Sequence, residues 1–281
     1  MILYKYCSFD RIDVLDRCLI RYTQPAAFND PFEVRPYVSQ LSSPAEFEET
    51  IDGLLAAETI RVYDQLADLP QNIVSYDFFQ TELKKRREDI GQAMHECAGA
   101  FVPMLRSIMH RKLNELLGIL SLAEKADDLL MWSHYATSHE GFVIGFDSTH
   151  RYFNAGRSPK DELYHLRRVQ YRERRPQAPL TSLTSTDVFL VKSTQWAYER
   201  EWRIIRPLAD ADEVIPCQPY QIHLFKFPAD SIREIALGCR MHRSYRSDIL
   251  DILYKRRHFT DVKVLQAVPD EKQFKIVFKE L

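Results

Sequence analysis

The sequence predicts an α+β fold, with a mixed or antiparallel strand-rich body and a helical insertion in its N-terminal third. Three observations carry that reading. Strand-like segments occupy both ends of the chain. Helical periodicity is concentrated between Ser43 and Leu117. Two short apolar runs, Gly118–Leu122 and Phe142–Phe146, have the length and composition of buried strands. Strands and helices segregated along one chain argue for α+β architecture. We expect a single domain over 1–281, with 43–117 as the insertion or subdomain.

Ile2–Tyr6 reads as a strand, and Ser8 or Asp10 can cap a helix over Arg11–Cys18. Leu19–Thr23 is extended up to Pro25. Phe28-Asn-Asp-Pro-Phe-Glu33 is turn chemistry, because Asn and Asp bond their own backbone and Pro fixes φ. The plain expectation is a tight turn pinned in the core by Phe28 and Phe32. Ser43-Pro-Ala-Glu46 is a capping box with Pro at the first helical position. A helix from there to about Leu66 would break at Leu69-Pro70. Further helical runs cover about Phe78–His95 and Pro103–Leu117.

After the strand Gly118–Leu122, Asp127–Ala136 reads as a short helix and Thr137–Gly141 as the turn into Phe142–Phe146. Leu163–Tyr171 alternates like a strand, Arg172–Thr186 has the composition of a loop, and Asp187–Trp196 is helix-like. Tyr220–Phe227 and Ile232–Leu237 are strands, Tyr245–Arg256 is an amphipathic helix, and Val262–Val268 with Gln273–Phe278 form a terminal strand pair.

Bulk properties exclude several functions. The 281 residues are 45% hydrophobic and 28% charged, which suffices for a sizeable core. A formal charge of −2 gives no basic field for nucleic acid. The basic runs Lys84–Arg87, Arg172–Arg175 and Lys255–His258 read as solvated helix ends or loops. Five scattered cysteines without a C-x-x-C argue against a disulfide framework or zinc knuckle, and suit a reducing cytoplasm. No stretch has the apolar length of a membrane span, and Met1–Tyr6 lacks the apolar run of a signal peptide. Neither a G-x-G-x-x-G nor a Walker loop is present. His134 and His139, five apart, do not share a helix face as paired zinc ligands do.

The richest stretch is Lys192–Ile205, with two Trp, one Tyr, two Glu and two Arg. In an extended segment Glu199 and Glu201 face the same way and Arg200 the other. Adjacent carboxylates are costly unless solvated, paired with cations, or used on a substrate. The plainest reading is a charged strand face neutralised by Arg200 and Arg203.

Four pieces together resemble a bacterial domain-of-unknown-function family, the one numbered twenty-nine seventy-one. They are Leu3–Tyr6, Phe28-Asn-Asp-Pro-Phe32, Met131-Trp-Ser-His-Tyr135 through Gly141–Phe146, and Lys192 through Trp196–Arg203. More distantly the chain resembles ADP-ribosyltransferases, some of which carry a Glu-x-Glu pair. That resemblance implies NAD as substrate, with Glu201 and Glu199 as the catalytic carboxylates. It implies Lys5 as the first polar contact, and Tyr135 or Ser133 lining the nicotinamide pocket. Asn29, Asp30, Trp132, His134 and Arg203 complete the expected NAD-binding set. The acceptor, whether a protein, a nucleic acid base or water, is left open. The chemistry is coherent: cleaving the nicotinamide–ribose bond builds positive charge on the ribose, which a carboxylate stabilises.

Two other functions compete. One is a non-enzymatic interaction module, in which the aromatic and polar residues are packing. The other is a metal-dependent nuclease with Asp30, Glu199 and Glu201 around Mg²⁺.

Overall fold

The computed structural model describes residues 1–65, 75–156, 158, 161–255, 259 and 261–281. Along the chain, β1 (Ile2–Cys7), α1 (Asp13–Arg17), β2 (Leu19–Tyr22) and β3 (Tyr37–Val38) precede three helices. These are α2 (Pro44–Gln65), α3 (Tyr76–Lys85) and α4 (Arg87–Leu116). Then come β4 (Leu117–Ala123), α5 (Leu129–Tyr135), β5 (Phe142–Asp147), β6 (Arg167–Arg168), β7 (Gln170–Arg172) and β8 (Gln177–Ala178). Next are α6 (Ser185–Phe189), β9 (Val191–Ser193), a 3-10 turn over Thr194–Glu199, and β10 (Glu201–Pro207). The chain closes with β11 (Glu213–Ile215), β12 (Ile222–Lys226), β13 (Ile232–Leu237), α7 (Arg243–Lys255), β14 (Lys263–Pro269) and β15 (Ile276–Glu280). The fold is α+β around a large mixed sheet.

The residues form two compact units. The first comprises Met1–Arg35, Arg111–Arg175 and Val188–Leu281. Its centre is an eight-stranded sheet in the order β15-β14-β13-β5-β1-β4-β10-β6. The β13–β14 pair is parallel and the other neighbours are antiparallel. Strand periodicity sorts its faces. One face buries Leu3, Leu120, Leu122, Ile144, Phe146, Ile204, Ile235 and Leu237, covered by Val14 and Leu15 of α1 and Ile249 and Leu253 of α7. Each such side chain contributes about 1.5–3 kcal/mol on burial.

The other face carries two smaller apolar patches. Tyr6, Ala123, Val143 and Ala236 pack under Met131 and Trp132 of α5, while Ile119 and Ile205 pack with Val34, Phe189 and Leu190. The register pairs Glu201 with Ala123, Arg203 with Ser121, and Ile205 with Ile119. Glu201, Arg203 and Ser121 therefore lie on that face in the interval between the two patches.

The sheet is nearly split between β1 and β4. β1 pairs with β5 over six residues and β4 with β10 over seven, yet β1 and β4 pair only at Tyr4 and Ala123. Four residues back along β4, Ile119 exchanges two 2.9 Å hydrogen bonds with Thr23, just past β2. The interval between these two contacts is open, and an open edge leaves backbone groups to satisfy. Lys5 reaches into it, its Nζ donating to the Ser121 carbonyl at 3.2 Å.

The second unit comprises Pro36–His110 and Pro176–Asp187. Ser43 and Glu46 form the expected capping box: Ser43 N–H donates to Glu46 Oε2 at 2.7 Å and Glu46 N–H to Ser43 Oγ at 3.2 Å. Arg87 ties α4 to α2 through Glu48 and Asp52, both at 2.7 Å. The short strands β3 and β8 pair in parallel, and Arg106 Nε donates to the Val38 carbonyl at 2.8 Å.

Several local expectations are corrected. The helices divide at Arg86, not before Pro103, which sits inside α4. Its missing N–H forfeits one intrahelical bond, and Gly99 four residues earlier has open space around it. Leu163–Tyr171 is not one strand: Tyr164 has φ of 61°, and pairing is broken into β6, β7 and an isolated bridge from His165 to Asn154. The stretch 172–186 is not wholly loop, since β8 and a 3-10 turn at Leu180–Ser182 lie in it. The helix read over Asp187–Trp196 ends at Phe189 and gives way to β9. Phe32 is 60% exposed, and Glu33 beside it is buried instead. The break at Leu69-Pro70, and Arg256 to His258 of the last basic run, lie outside the described residues.

Gly141 and Gly238 are required by packing, a Cβ on either standing 2.1 Å from a backbone carbonyl oxygen. Gly141 ends the turn between α5 and β5, and a Cβ there would stand 2.1 Å from the Cys7 carbonyl oxygen. Gly53, in the interior of α2, has nothing within 4 Å. We predict that Gly141→Ala lowers the urea midpoint markedly while Gly53→Ala raises stability by up to about 1 kcal/mol. Equal midpoints in equilibrium unfolding would contradict this.

Candidate active site

The chain around the two glutamates is not extended. Ser193 caps the 3-10 turn Thr194–Glu199, its side chain accepting from the Gln195 N–H, and Arg200 adopts a left-handed conformation at φ 46°, ψ 53°. This turn swings Glu201 onto the start of β10, so both carboxylates still converge while Arg200 remains exposed. The expected neutralising pair is corrected accordingly: Arg203 serves Glu201, and Lys192 takes the place expected of Arg200.

Lys192, on β9, is the hub. Its Nζ lies 2.5 Å from Glu199 Oε2, 3.2 Å from Glu201 Oε2 and 3.5 Å from Glu33 Oε2. Arg203 holds Glu201 from the far side, through Nε to Oε1 at 2.8 Å and Nη2 to Oε2 at 2.9 Å. Its Nη2 also meets Glu33, and its Nη1 donates to the Phe189 carbonyl at 2.6 Å. Arg203 is fully buried, and Glu33, Lys192, Glu199 and Glu201 are all nearly so. Three carboxylates thus face two cations in the interior, where desolvation makes each charge expensive.

The surroundings drive the two pocket carboxylates apart. Burial raises the Glu199 carboxyl above its ordinary range, and the charge of Glu201 adds to the rise against the pull of Lys192. Burial also works to raise Glu201, but the charges of Arg203 and Lys192 win and hold it well below that range. Lys192 is held protonated: burial works against its charge, and Glu201, Glu33 and Glu199 overcome it. Glu199 Oε1 accepts from the Tyr135 hydroxyl at 2.7 Å, and that hydroxyl in turn accepts from Asn29 Nδ2 at 3.1 Å. Burial, then the Glu199 charge, pushes the Tyr135 hydroxyl well above its ordinary pKa. The Glu201 N–H is bound to the Tyr171 hydroxyl at 2.8 Å, and burial pushes that hydroxyl up to about 12.

Glu199, Glu201 and Lys192 line a cavity of about 310 Å³ at the opening between β1 and β4. That is the low end of the range of small-molecule sites. Tyr4, Phe28, Met131 and Tyr135 supply apolar and aromatic wall, and Ser121 and Thr23 supply hydroxyls.

The predicted residues divide between wall and support. Lys5, Asn29, His134, Tyr135, Glu199 and Glu201 line the cavity. The others do not. Trp132 is fully buried, edge-on to Tyr6, with its indole N–H on the Ala126 carbonyl at 2.7 Å. Ser133 is exposed and lies 3.4 Å from His139 Nε2. Asp30 is buried and accepts from the Phe32 N–H at 2.9 Å, closing its turn. Arg203 stands behind Glu201. Sequence reasoning missed Glu33 as a partner of this centre, and did not foresee Lys192 as its hub. Charge balance gave no signal, because the two motifs hold three Glu (Glu33, Glu199, Glu201) and three cations (Lys192, Arg200, Arg203). Ser121 carried no signal beyond a polar residue within an apolar strand. Among the described residues, no group of three or more His, Cys, Asp or Glu is placed to hold a metal ion. Among the same residues, no helix is long and apolar enough to cross a membrane.

The opposite pKa displacements predict opposite effects on stability. Glu201 is depressed, so its contribution is present above its unfolded pKa of about 4.3 and lost as pH falls through the folded value. Glu199 is raised, so its contribution is complete below that unfolded pKa and lost as pH rises through the folded value. At neutral pH, Glu201→Gln should therefore lower the melting temperature and Glu199→Gln should leave it unchanged or raise it. Lys192→Met strips the carboxylates of their shared cation and should cost about 3–5 kcal/mol. Thermal and denaturant unfolding measure all three. A Glu199→Gln protein as destabilised as Glu201→Gln would refute the assigned directions.

Comparison with known proteins finds one family model that matches a segment holding part of this centre, Glu33 lying outside it. A search of curated proteins and a search of solved structures each return no match. Residues 131–204 are similar to the sequence model of a family described as a protein of unknown function, DUF2971, a segment that carries His134, Tyr135, Lys192, Glu199, Glu201 and Arg203.

Proposed function

We propose that the cavity takes the nicotinamide–ribose end of NAD as substrate and that the protein transfers ADP-ribose to an acceptor. The observation that carries this is the pair of interior carboxylates, displaced in opposite pKa directions and facing one cavity in a nearly split sheet. Groups pushed apart in this way suit division of labour between charge stabilisation and proton transfer. A centre with one carboxylate in excess also exceeds what an ion pair needs for packing, and perturbed carboxylates in a cleft mark functional sites. That weighs against a pure interaction module.

The residues fit the substrate. Tyr135, Tyr4 and Phe28 offer aromatic surface for nicotinamide. Lys5 brings an amine to the cavity wall; burial lowers its pKa, and the negative charge of a bound pyrophosphate would favour its protonated form, which would neutralise that group where no glycine-rich loop is present. Glu201, held anionic by Arg203 and Lys192, stabilises the positive charge that develops on the ribose as the glycosidic bond breaks. Glu199 is the general base that removes the acceptor's proton. The metal-dependent reading is less favoured because the Lys192 ammonium already occupies the space shared by Glu33, Glu199 and Glu201.

Incubation of the protein with NAD, with water as the acceptor of last resort, should release nicotinamide. Glu199→Gln, which keeps the fold, should slow release by about 10²–10⁴-fold. Wild-type activity should fall as pH drops through the raised Glu199 pKa, because the base must be ionised. Undiminished release by Glu199→Gln would sink this assignment.

A further inference from the structure

Glu199 has little direct access to a substrate. It is 4% exposed, with Oε2 held by Lys192 at 2.5 Å and Oε1 by the Tyr135 hydroxyl at 2.7 Å. Tyr135 is half-buried and lines the cavity, and its hydroxyl has already taken the Asn29 amide as a donor. A tyrosine hydroxyl has one donor and two acceptor positions. Donation to Glu199 and acceptance from Asn29 use one of each, and leave one acceptor position. The two observed bonds fix the polarity, since the Asn29 Nδ2 group can only donate and the Tyr135 hydroxyl donates to Glu199 Oε1.

We propose that Tyr135 is a catalytic proton relay, taking the proton of the acceptor molecule on its free lone pair while passing its own hydroxyl proton to Glu199. This rests on the NAD reading above and gives it a route. The acceptor's oxygen forms a bond to the ribose anomeric carbon as the bond from that carbon to nicotinamide breaks. The bonding pair leaves with the pyridine nitrogen and neutralises the pyridinium. The acceptor's proton goes to the Tyr135 oxygen, and the Tyr135 proton to Glu199 Oε1. Tyr135 ends as it began, and Glu199 carries the released proton. Its raised phenol pKa suits this role, because Tyr135 never holds a charge at rest. Asn29 is a positioning residue, orienting the phenol so that its proton points at Glu199. The relay also selects acceptors. It demands a group with a transferable proton, such as a hydroxyl or water, presented at the Tyr135 side of the cavity.

The test is Tyr135→Phe, which removes one oxygen and keeps the ring. Nicotinamide release from NAD in water should fall about 10²-fold or more. Loss of the Tyr135 bond removes a donor from Glu199, so the acid limb of the residual activity should move to higher pH. A proton inventory in mixed light and heavy water should be curved for wild type, with two protons in flight, and linear for Tyr135→Phe. A packing role alone would move neither the pH limb nor the curvature. Tyr135→Phe with wild-type rate, pH limb and curvature, beside an inactive Glu199→Gln, overturns the relay and leaves the NAD reading standing. No release by wild type at any pH overturns both. Circular dichroism and melting of Tyr135→Phe confirm that a folded protein is being compared.

Discussion

The structure depends on keeping three carboxylates in its interior with two cations between them. Lys192 touches Glu33, Glu199 and Glu201, and Arg203 closes the circuit from Glu201 to Glu33. Such a centre costs desolvation, and its ion pairs return that cost only when every hydrogen bond is made. Much of the local architecture supplies those bonds. β9 delivers Lys192, the left-handed Arg200 turns Glu201 inward, and the Asp30 turn brings in Glu33. The two apolar patches flank the interval on either side. Removing either cation leaves carboxylates uncompensated in the interior.

The nearly split sheet makes this charged interior reachable. With β1 and β4 paired at a single position, the sheet has a cleft where a continuous one would have had a wall. The cleft meets the carboxylates from one side and the aromatic residues of β1 and α5 from the other. Glu201 has its charge fixed by two cations, and Glu199 sits where burial and its neighbour oppose ionisation. One backbone geometry thus yields two glutamates of different character two residues apart, which is the property a glycosyl-transfer site needs.

Much of the fold could be read in the sequence. Alternation and apolar runs marked β1, β4, β5, β13 and β14, and the Ser43–Glu46 box marked the start of α2. What escaped was set by tertiary context. Pro103 reads as a helix start, yet packing carries α4 straight through it. Tyr164 and Arg200 take positive φ with no glycine to announce it. The site was half legible. Glu199 and Glu201 drew attention as neighbouring carboxylates, Tyr135 and Lys5 through the resemblance to ADP-ribosyltransferases, and all four line one cavity. Trp132 drew the same attention as Tyr135 but serves the core beneath that wall. Glu33 followed a turn motif whose aromatic residues were expected to be buried. Phe32 is exposed because the turn spends its inward position on the carboxylate. A charge preferred over a ring in the core cannot be seen without its partner 170 residues away.

Titration of the purified protein with NAD, followed by calorimetry, tests the central claim most directly. The account predicts saturable binding with a stoichiometry of one, weakened by Tyr135→Ala or by Lys5→Ala at the cavity wall. Absence of heat up to millimolar NAD would contradict it, and would leave the buried charges as an ion-pair core with no substrate.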